Sequence, residues 1–337
     1  MSALDSRAPR DSDMTSLDEF ETHEWKSLDL PIPNRLNVTL VLVITLLAIG
    51  LLTWASRAEN WQSCLGISLV FSYAMLTNYA LLHDATHDTL HENRSVNRLL
   101  GFVTGIWFPV PFSMIHYTHR SHHRFNRTDA EMFDTYYPTD NRFLKYIQWF
   151  SILCGLFWPL VPLGALLVAL LPAVLRKKMF SSASPSRGLY YMARMPEIVV
   201  KRTRLETIGV IAVFVLLYWL LAWSGIAVLL CYGCFAINWS TRQYITHAFS
   251  PRDVVDGAFN LQHFRWMDWL LLHGPWDLNH HRHPDVSWYH LPSLGEGDTP
   301  RRHYLAQYLR QWRGPMPAAE PAPKPIRDEL LDEWANA

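Results

Sequence analysis

Apolar residues in this chain are gathered into long blocks, and several blocks are about as long as a bilayer is thick. Leu36 to Trp54 and Ser63 to Leu82 each suffice for a helix across a hydrocarbon core, and the polar link Ser56 to Gln62 joins them as a hairpin. A second pair runs from Thr207 to Trp223 and from Gly225 to about Tyr244, turning at Ser224 and Gly225. Two more apolar stretches follow a different pattern. Leu99 to Ile115 is shorter, while Ile147 to Leu175 is long enough to span but carries Pro159 and Pro162 near its middle. The prolines predict a helix, a break and a helix that dips into the membrane and returns. The pattern as a whole predicts an all-α integral membrane protein, with about four transmembrane helices in two hairpins, re-entrant or interfacial helices, and a cytoplasmic histidine-rich cap. It divides the chain into a polar tail (1–35), a membrane domain (36–313) and a Pro-rich, acidic tail (314–337). Gly314 to Pro325 reads as a surface extension and Arg327 to Trp334 as a peripheral helix.

Charge sets the orientation. Arg176 to Arg204 holds Arg176, Lys177, Lys178, Arg187, Arg194, Lys201, Arg202 and Arg204, whereas the two hairpin turns carry only Arg57. Positive loops stay inside, so both termini and the polar loops are expected in the cytoplasm. Lys+Arg and Asp+Glu balance at 30 each, which leaves no field for nucleic acid. No basic start leads into a short apolar run, so no cleavable signal peptide is expected and insertion relies on the later spans. Cys64, Cys154, Cys231 and Cys234 all lie in apolar stretches; Cys231 and Cys234 form C-x-x-C inside LLCYGCFAI, where buried packing is the better reading than redox or metal chemistry.

The chemistry lies in the histidines. Most of the 16 fall into clusters that follow hydrophobic spans. His83, His87 and His91 recur every four residues at the end of the second span, one face of a helix continuing past the bilayer. His116, His119 and His123 share a face in the second cluster, with His122 on its flank. The third is His280, His281 and His283, preceded by His273 and Asp277, and His247 emerges after the fourth span at the same depth. Neutral imidazoles bind Fe, Zn, Cu and Ni. Eight or more exceed the four ligands of one tetrahedral zinc and fit two ions of higher coordination number. His23, His263, His290 and His303 read as ordinary surface or packing histidines, with His263 and His290 near enough to help shape the site's surroundings.

These clusters resemble the three histidine boxes of the membrane fatty acid desaturase and hydroxylase superfamily: LLHDATHDTLH the first, THRSHHRFN the second, NHHRHPDVSWYHLP the third. NWSTRQYITH is similar to the segment that contributes a further histidine from the last span. The likeness covers roughly Leu81 to Leu294. It implies a four-span helical fold with a cytoplasmic cap, two iron ions, and O2 as co-substrate. The ligands it implies are His83, His87, His119, His122, His123, His247, His280 and His281. Asn238 matches a position that reaches the metal through water, and His116, His91, His273 and His283 would stand around the ligands or act through water. One departure from the pattern is Asp277, three residues before His280, where the family has a histidine. It would be a carboxylate ligand or a hydrogen-bond partner to a ligand histidine; otherwise it caps the helix, with His273 as the substitute ligand.

A diiron enzyme of this kind oxidises an unactivated methylene, which no side chain does unaided. The leading expectation is desaturation of a fatty-acyl chain. Oxidative decarboxylation of a free fatty acid to a terminal alkene is the close alternative, because Asn126 to Pro138 is similar to a bacterial subgroup that includes such enzymes; this implies a bacterial inner membrane. Hydroxylation ranks third. A metal or haem transporter belongs to another class, but its histidines should line the spans rather than follow them. Asp129, Glu131 and Asp134 in that stretch read equally as a solvated loop and helix start. Trp54, Trp107, Phe108, Phe112 and Trp149 are candidates for an acyl tunnel, though bilayer anchoring and packing are the commoner roles. With no flavin, nicotinamide, rubredoxin-like or haem motif, electrons must come from a separate donor such as a ferredoxin. Lys177, Lys178, Lys201 and Arg202 could dock it, although positive-inside anchoring is their stronger reading.

Overall fold

A computed structural model describes residues 20–24, 28–175, 190–295 and 301–335. Twelve helices are labelled along the described chain: α1 Asn34–Ser56, α2 Trp61–Thr86, α3 Arg94–Trp107, α4 Phe112–Phe125, α5 Arg142–Leu153, α6 Phe157–Leu170, α7 Glu197–Leu220, α8 Gly225–Ser240, α9 Arg265–Leu270, α10 Asp277–Arg282, α11 Tyr304–Gln311 and α12 Glu329–Ala335. Three of them, α1, α2 and α7, are long and apolar enough to cross a membrane. The fourth expected span, α8, is a 16-residue apolar helix that stops at Ser240 rather than near Tyr244 and gives way to successive turns through Phe249. Ser240 Oγ there accepts the N–H of Trp158, joining the end of α8 to the start of α6.

The bundle is packed inside and apolar outside. Phe71 and Met75 of α2, Leu52 of α1 and Phe235 of α8 are fully buried, while Leu42, Leu46, Leu205, Ile208 and Trp219 are exposed. An apolar exterior on helices of this length is a lipid-facing surface, so the protein is an integral membrane protein. Polar side chains pin the helix ends: Asn78 Nδ2 donates to Thr104 O, and Asn97 Nδ2 to Ala85 O.

Two stretches bend differently from expectation. The chain turns by 97° between α5 and α6, but the break is at Gly155, not at Pro159 or Pro162, which lie within α6. Gly155 has φ 93°; its N–H meets Ile152 O at 3.2 Å and the Leu156 N–H meets Ser151 O at 2.9 Å. That pair of bonds satisfies the last carbonyls of α5 and ends the helix. Leu99 to Ile115 likewise divides into α3 and α4, inclined at 98°.

The C-terminal tail runs over the surface, with most of its residues exposed or half-buried, and is tied down along its length. Met316–Pro317 pairs in parallel with Thr135–Tyr136, and Ile326 bridges to Glu21. Asp328 then forms a two-pronged pair with Arg120, Asp332 meets Arg124 at 3.1 Å, and Leu331 is buried. The reason is electrostatic and steric: α4 presents Arg120 and Arg124 outward beside apolar Phe125, a surface that matches the tail's carboxylates and leucine. Residues 176–189, with Arg176, Lys177, Lys178 and Arg187, lie outside the described residues, as does most of the N-terminal tail.

Candidate metal centre

The helix ends place the imidazoles. Residues four apart lie one above the other on a helix, so His83 in the last turn of α2 and His87 just beyond it face the same way. The helix stops there because Asp88 adopts a left-handed φ of 59°, with its N–H bonded to Ala85 O at 3.2 Å and that of Thr89 to Asp84 O at 3.3 Å. The face therefore does not continue to His91, whose Nδ1 instead accepts the N–H of Asn93 at 3.0 Å ahead of α3. Asp84 fixes the corner from the other side by accepting the backbone N–H of Trp288 at 3.0 Å.

Two groups of side chains form. His83, His87, His119 and His280 offer ring nitrogens all within 4.8 Å of one another, and so do His122, His247 and His281. α4 and α10 each serve both groups, because His119 and His122, like the consecutive pair His280 and His281, diverge around their helix. His123 lies between the groups: its Nε2 is 3.2 Å from His119 Nε2 and 3.0 Å from His280 Nε2, and its ring stacks on His281 at 4.2 Å.

These contacts fit metal ions better than hydrogen bonds. His87 Nε2, His123 Nδ1, His281 Nδ1 and Asp277 Oδ2 are buried without a hydrogen-bond partner among the described residues, an arrangement normally avoided. His247 is the clearest case. Its Nδ1 is 2.9 Å from Gly257 O, which can only accept, so Nδ1 carries a proton, and its Nε2 faces Asp277 Oδ2 at 3.0 Å. A ring nitrogen and a carboxylate oxygen at such a distance need a proton or a metal cation between them. Burial holds His280 and His281 well below the usual imidazole range, leaving them neutral donors. Burial pushes Asp277 up, but His247 beside it outweighs burial and holds the carboxyl well below the usual carboxylate range.

Other candidates stand apart from both groups. His116 lies against Phe112, with ring centroids 5.3 Å apart, and His273 packs between Trp269 and Trp288. His283 closes α10. Asn238 donates to Ser72 Oγ at 3.1 Å and accepts from Arg242 Nε at 2.9 Å. His263 lies against Tyr304, with ring centroids 4.2 Å apart, and His290 contacts Pro31 O. Trp107, Phe108, Phe112 and Trp149 are packed in the interior and Trp54 is exposed, the packing and anchoring roles.

Asp129, Glu131 and Asp134 are not a solvated loop. Asp134 is buried and accepts from Arg127 Nη1 at 2.7 Å; Asp129 accepts from Arg252 Nη2 at 2.7 Å. Glu131 is the residue that sequence reasoning undervalued: its Oε2 is 2.5 Å from Nδ1 of His122, which turns His122 Nε2 toward His247 and His281. Tyr79 and Gln243 were also unforeseen. Gln243 Nε2 donates to Tyr79 OH at 3.1 Å, and the Tyr79 ring lies 6.3 Å from that of His83.

The sequence model of the family described as fatty acid desaturase matches residues 59–311, a span that takes in every histidine of the two groups. Comparison with curated proteins gives no match.

Proposed function

Because the chain belongs to the fatty acid desaturase family, an oxidoreductase assignment is its premise, and we propose that it is an O2-dependent diiron oxidase that desaturates a fatty-acyl chain. The observation that carries this reading is the pair of adjoining imidazole groups, with the Asp277 carboxylate at the second. His83, His87, His119 and His280 would hold one ion. His122, His247, His281 and Asp277 would hold the other, with His123 within reach of both. An imidazole set with one carboxylate suits iron, and seven or eight imidazoles are too many for one zinc. When bound, the iron pair supplies the two-electron oxidation of an unactivated C–H bond by O2.

The chain's own work is positional. Asp84 and Asn97 hold the corner after α2 so that His83 and His87 keep their spacing, and Glu131 and Gly257 O each accept the Nδ1–H of a histidine, which points its Nε2 toward the metal site. The position of the groups, at and beyond the end of α2 rather than along the spans, supports an enzyme over a transporter. An external one-electron donor such as a ferredoxin, and a cytoplasmic cap, complete the proposal.

Two measurements test it. Purified active protein is expected to contain about two irons per chain, from the count of two donor groups; active preparations with one zinc and no iron overturn the diiron reading. Mass spectrometry of lipids and volatile hydrocarbons from expressing cells is expected to show a new double bond at unchanged chain length. A terminal alkene one carbon shorter would replace desaturation by decarboxylation of a free fatty acid, and a hydroxylated chain by hydroxylation.

A further inference from the structure

The two donor groups are chemically unequal, and the inequality does not follow from the histidines alone. Around His122, His247 and His281 stand two carboxylates: Glu131 Oε2 at 2.5 Å from His122 Nδ1, and Asp277 Oδ2 at 3.0 Å from His247 Nε2 and 4.0 Å from His281 Nε2. Two of the three rings are also held in one tautomer, His122 by Glu131 and His247 by Gly257 O. Around His83, His87, His119 and His280, among the described residues, no carboxylate forms an ion pair or hydrogen bond with any ring; their close nitrogen contacts are with other histidines, as at His119 and His280 with His123. The first group also borders a cavity of about 170 Å³ that reaches His87 and His123 and is lined by Arg120, Arg124, Asp285 and Arg327.

Resting on the diiron reading, we infer that the two ions are held unequally: Glu131 and Asp277 make the His122, His247 and His281 group the tight site, and the all-imidazole group is the labile one. Two physical effects act in the same direction. Carboxylates add negative charge next to a cation in a buried setting, where it is weakly screened. A carboxylate or carbonyl that accepts a ligand's N–H orients the ring before the metal arrives and raises its basicity; loss of such a partner costs about 10- to 100-fold in metal affinity. Glu131 is thus a positioning residue, nine positions after the histidine it orients, and the cavity beside His87 gives the labile ion its route to solvent.

The test uses the iron-loaded, full-length protein in detergent, without O2, mixed with a chelator that colours on binding ferrous iron. The wild type is expected to release its iron in two phases of equal amplitude. Glu131→Ala should speed the slow phase by about 10- to 100-fold and leave the fast phase unchanged. Glu131→Gln, which keeps an acceptor for Nδ1 but loses the charge, should fall between. Asp277→Asn should speed the slow phase independently. A purely structural role for Glu131 would instead lower the melting temperature and accelerate both phases together. Release of two irons in one phase from the wild type overturns the inference while leaving the diiron reading intact; so does an unchanged slow phase in folded Glu131→Ala or, should that variant not fold, in Asp277→Asn. Protein that takes up no iron, or a single zinc, overturns the diiron reading itself.

Discussion

Asp134 has no exposed surface and neutralises Arg127, itself 2 % exposed, across 2.7 Å, while its second oxygen accepts the N–H of Phe249. Arg127 Nη1 and Nη2 also donate to Tyr244 OH and Ser250 O at 2.9 Å. The pair therefore ties the loop after α4 to the loop that carries His247, and with it one donor of the second group. Removing one partner of a buried pair leaves the other charge uncompensated, a loss of about 3–5 kcal/mol. Asp134→Asn is expected to lower the melting temperature of the detergent-solubilised protein sharply. Iron bound per folded chain should fall less than in Asp277→Asn, because Asp134 touches no histidine of either group. Asp277 is the contrasting case: it is the first residue of α10, and its carboxylate is turned toward His247. Asp277→Asn should then keep its melting temperature while losing iron and turnover, and full retention of both would return Asp277 to the capping role. His83 and His87, like His119 and His123, were legible from spacing, because a period near four marks one helix face, although the same spacing also pointed to His91 and His116, which join neither group; His122, His247, His280 and His281 were legible only through the resemblance to the histidine boxes. Asp277 was legible as a departure from a recurring motif. Glu131 was not, because its contact with His122 depends on the turn that Arg127 makes at φ 59°, which no periodicity reports.

At the level of elements, hydrophobic length gave the spans and helix ends gave the surprises. α1, α2 and α7 follow from apolar runs about as long as the bilayer core is thick, whereas the ends of α2 and α5 are decided by single residues in left-handed conformation, Asp88 and Gly155. Proline was a misleading signal in Ile147 to Leu175. Pro159 sits in the first turn of α6, where its missing N–H costs little, and the bend falls instead on the glycine ahead of it. Gly155 also has no room for a side chain: a Cβ would lie 2.9 Å from Ile237 Cγ1 and 3.0 Å from Ile237 Cα on α8. Gly155→Ala meets both the backbone penalty of φ 93° and that contact. It is expected to destabilise the protein by more than about 1 kcal/mol, read as a lower melting temperature. Pro159→Ala should leave the melting temperature within a degree or two. If the two variants melt alike, the bend does not depend on Gly155.

Over the whole molecule, one end of the bundle gathers both histidine groups, the corner after α2, the α4 surface with its docked tail, and the helices after α8. The other end consists of two tight turns: Arg57–Asn60 between α1 and α2, and Leu221–Ser224 between α7 and α8, held together by Ser56 Oγ accepting the Ser224 N–H at 3.0 Å and Trp223 Nε1 donating to Thr53 Oγ1 at 2.9 Å. Such a molecule has two chemically distinct faces, and the bilayer must lie between them because the exposed leucines of α1 and α7 form the belt in the middle. Which face looks inward is a matter of charge: Lys and Arg gather in Arg176 to Arg204, and only Arg57 lies in the two turns. Each cation retained on the cytoplasmic side favours one insertion over its inverse. The histidine end is then expected in the cytoplasm, where reduced electron carriers are found. Glu59, exposed in the first turn, and Glu92, exposed just past the first histidine pair, report on opposite ends. In a cysteine-free background, Glu59→Cys should react with a membrane-impermeant maleimide added to intact cells, and Glu92→Cys only after the membrane is opened. Reaction of both from outside would contradict the two-hairpin topology, and the reverse pattern would place the oxidation chemistry on the outer face and require an external electron donor there.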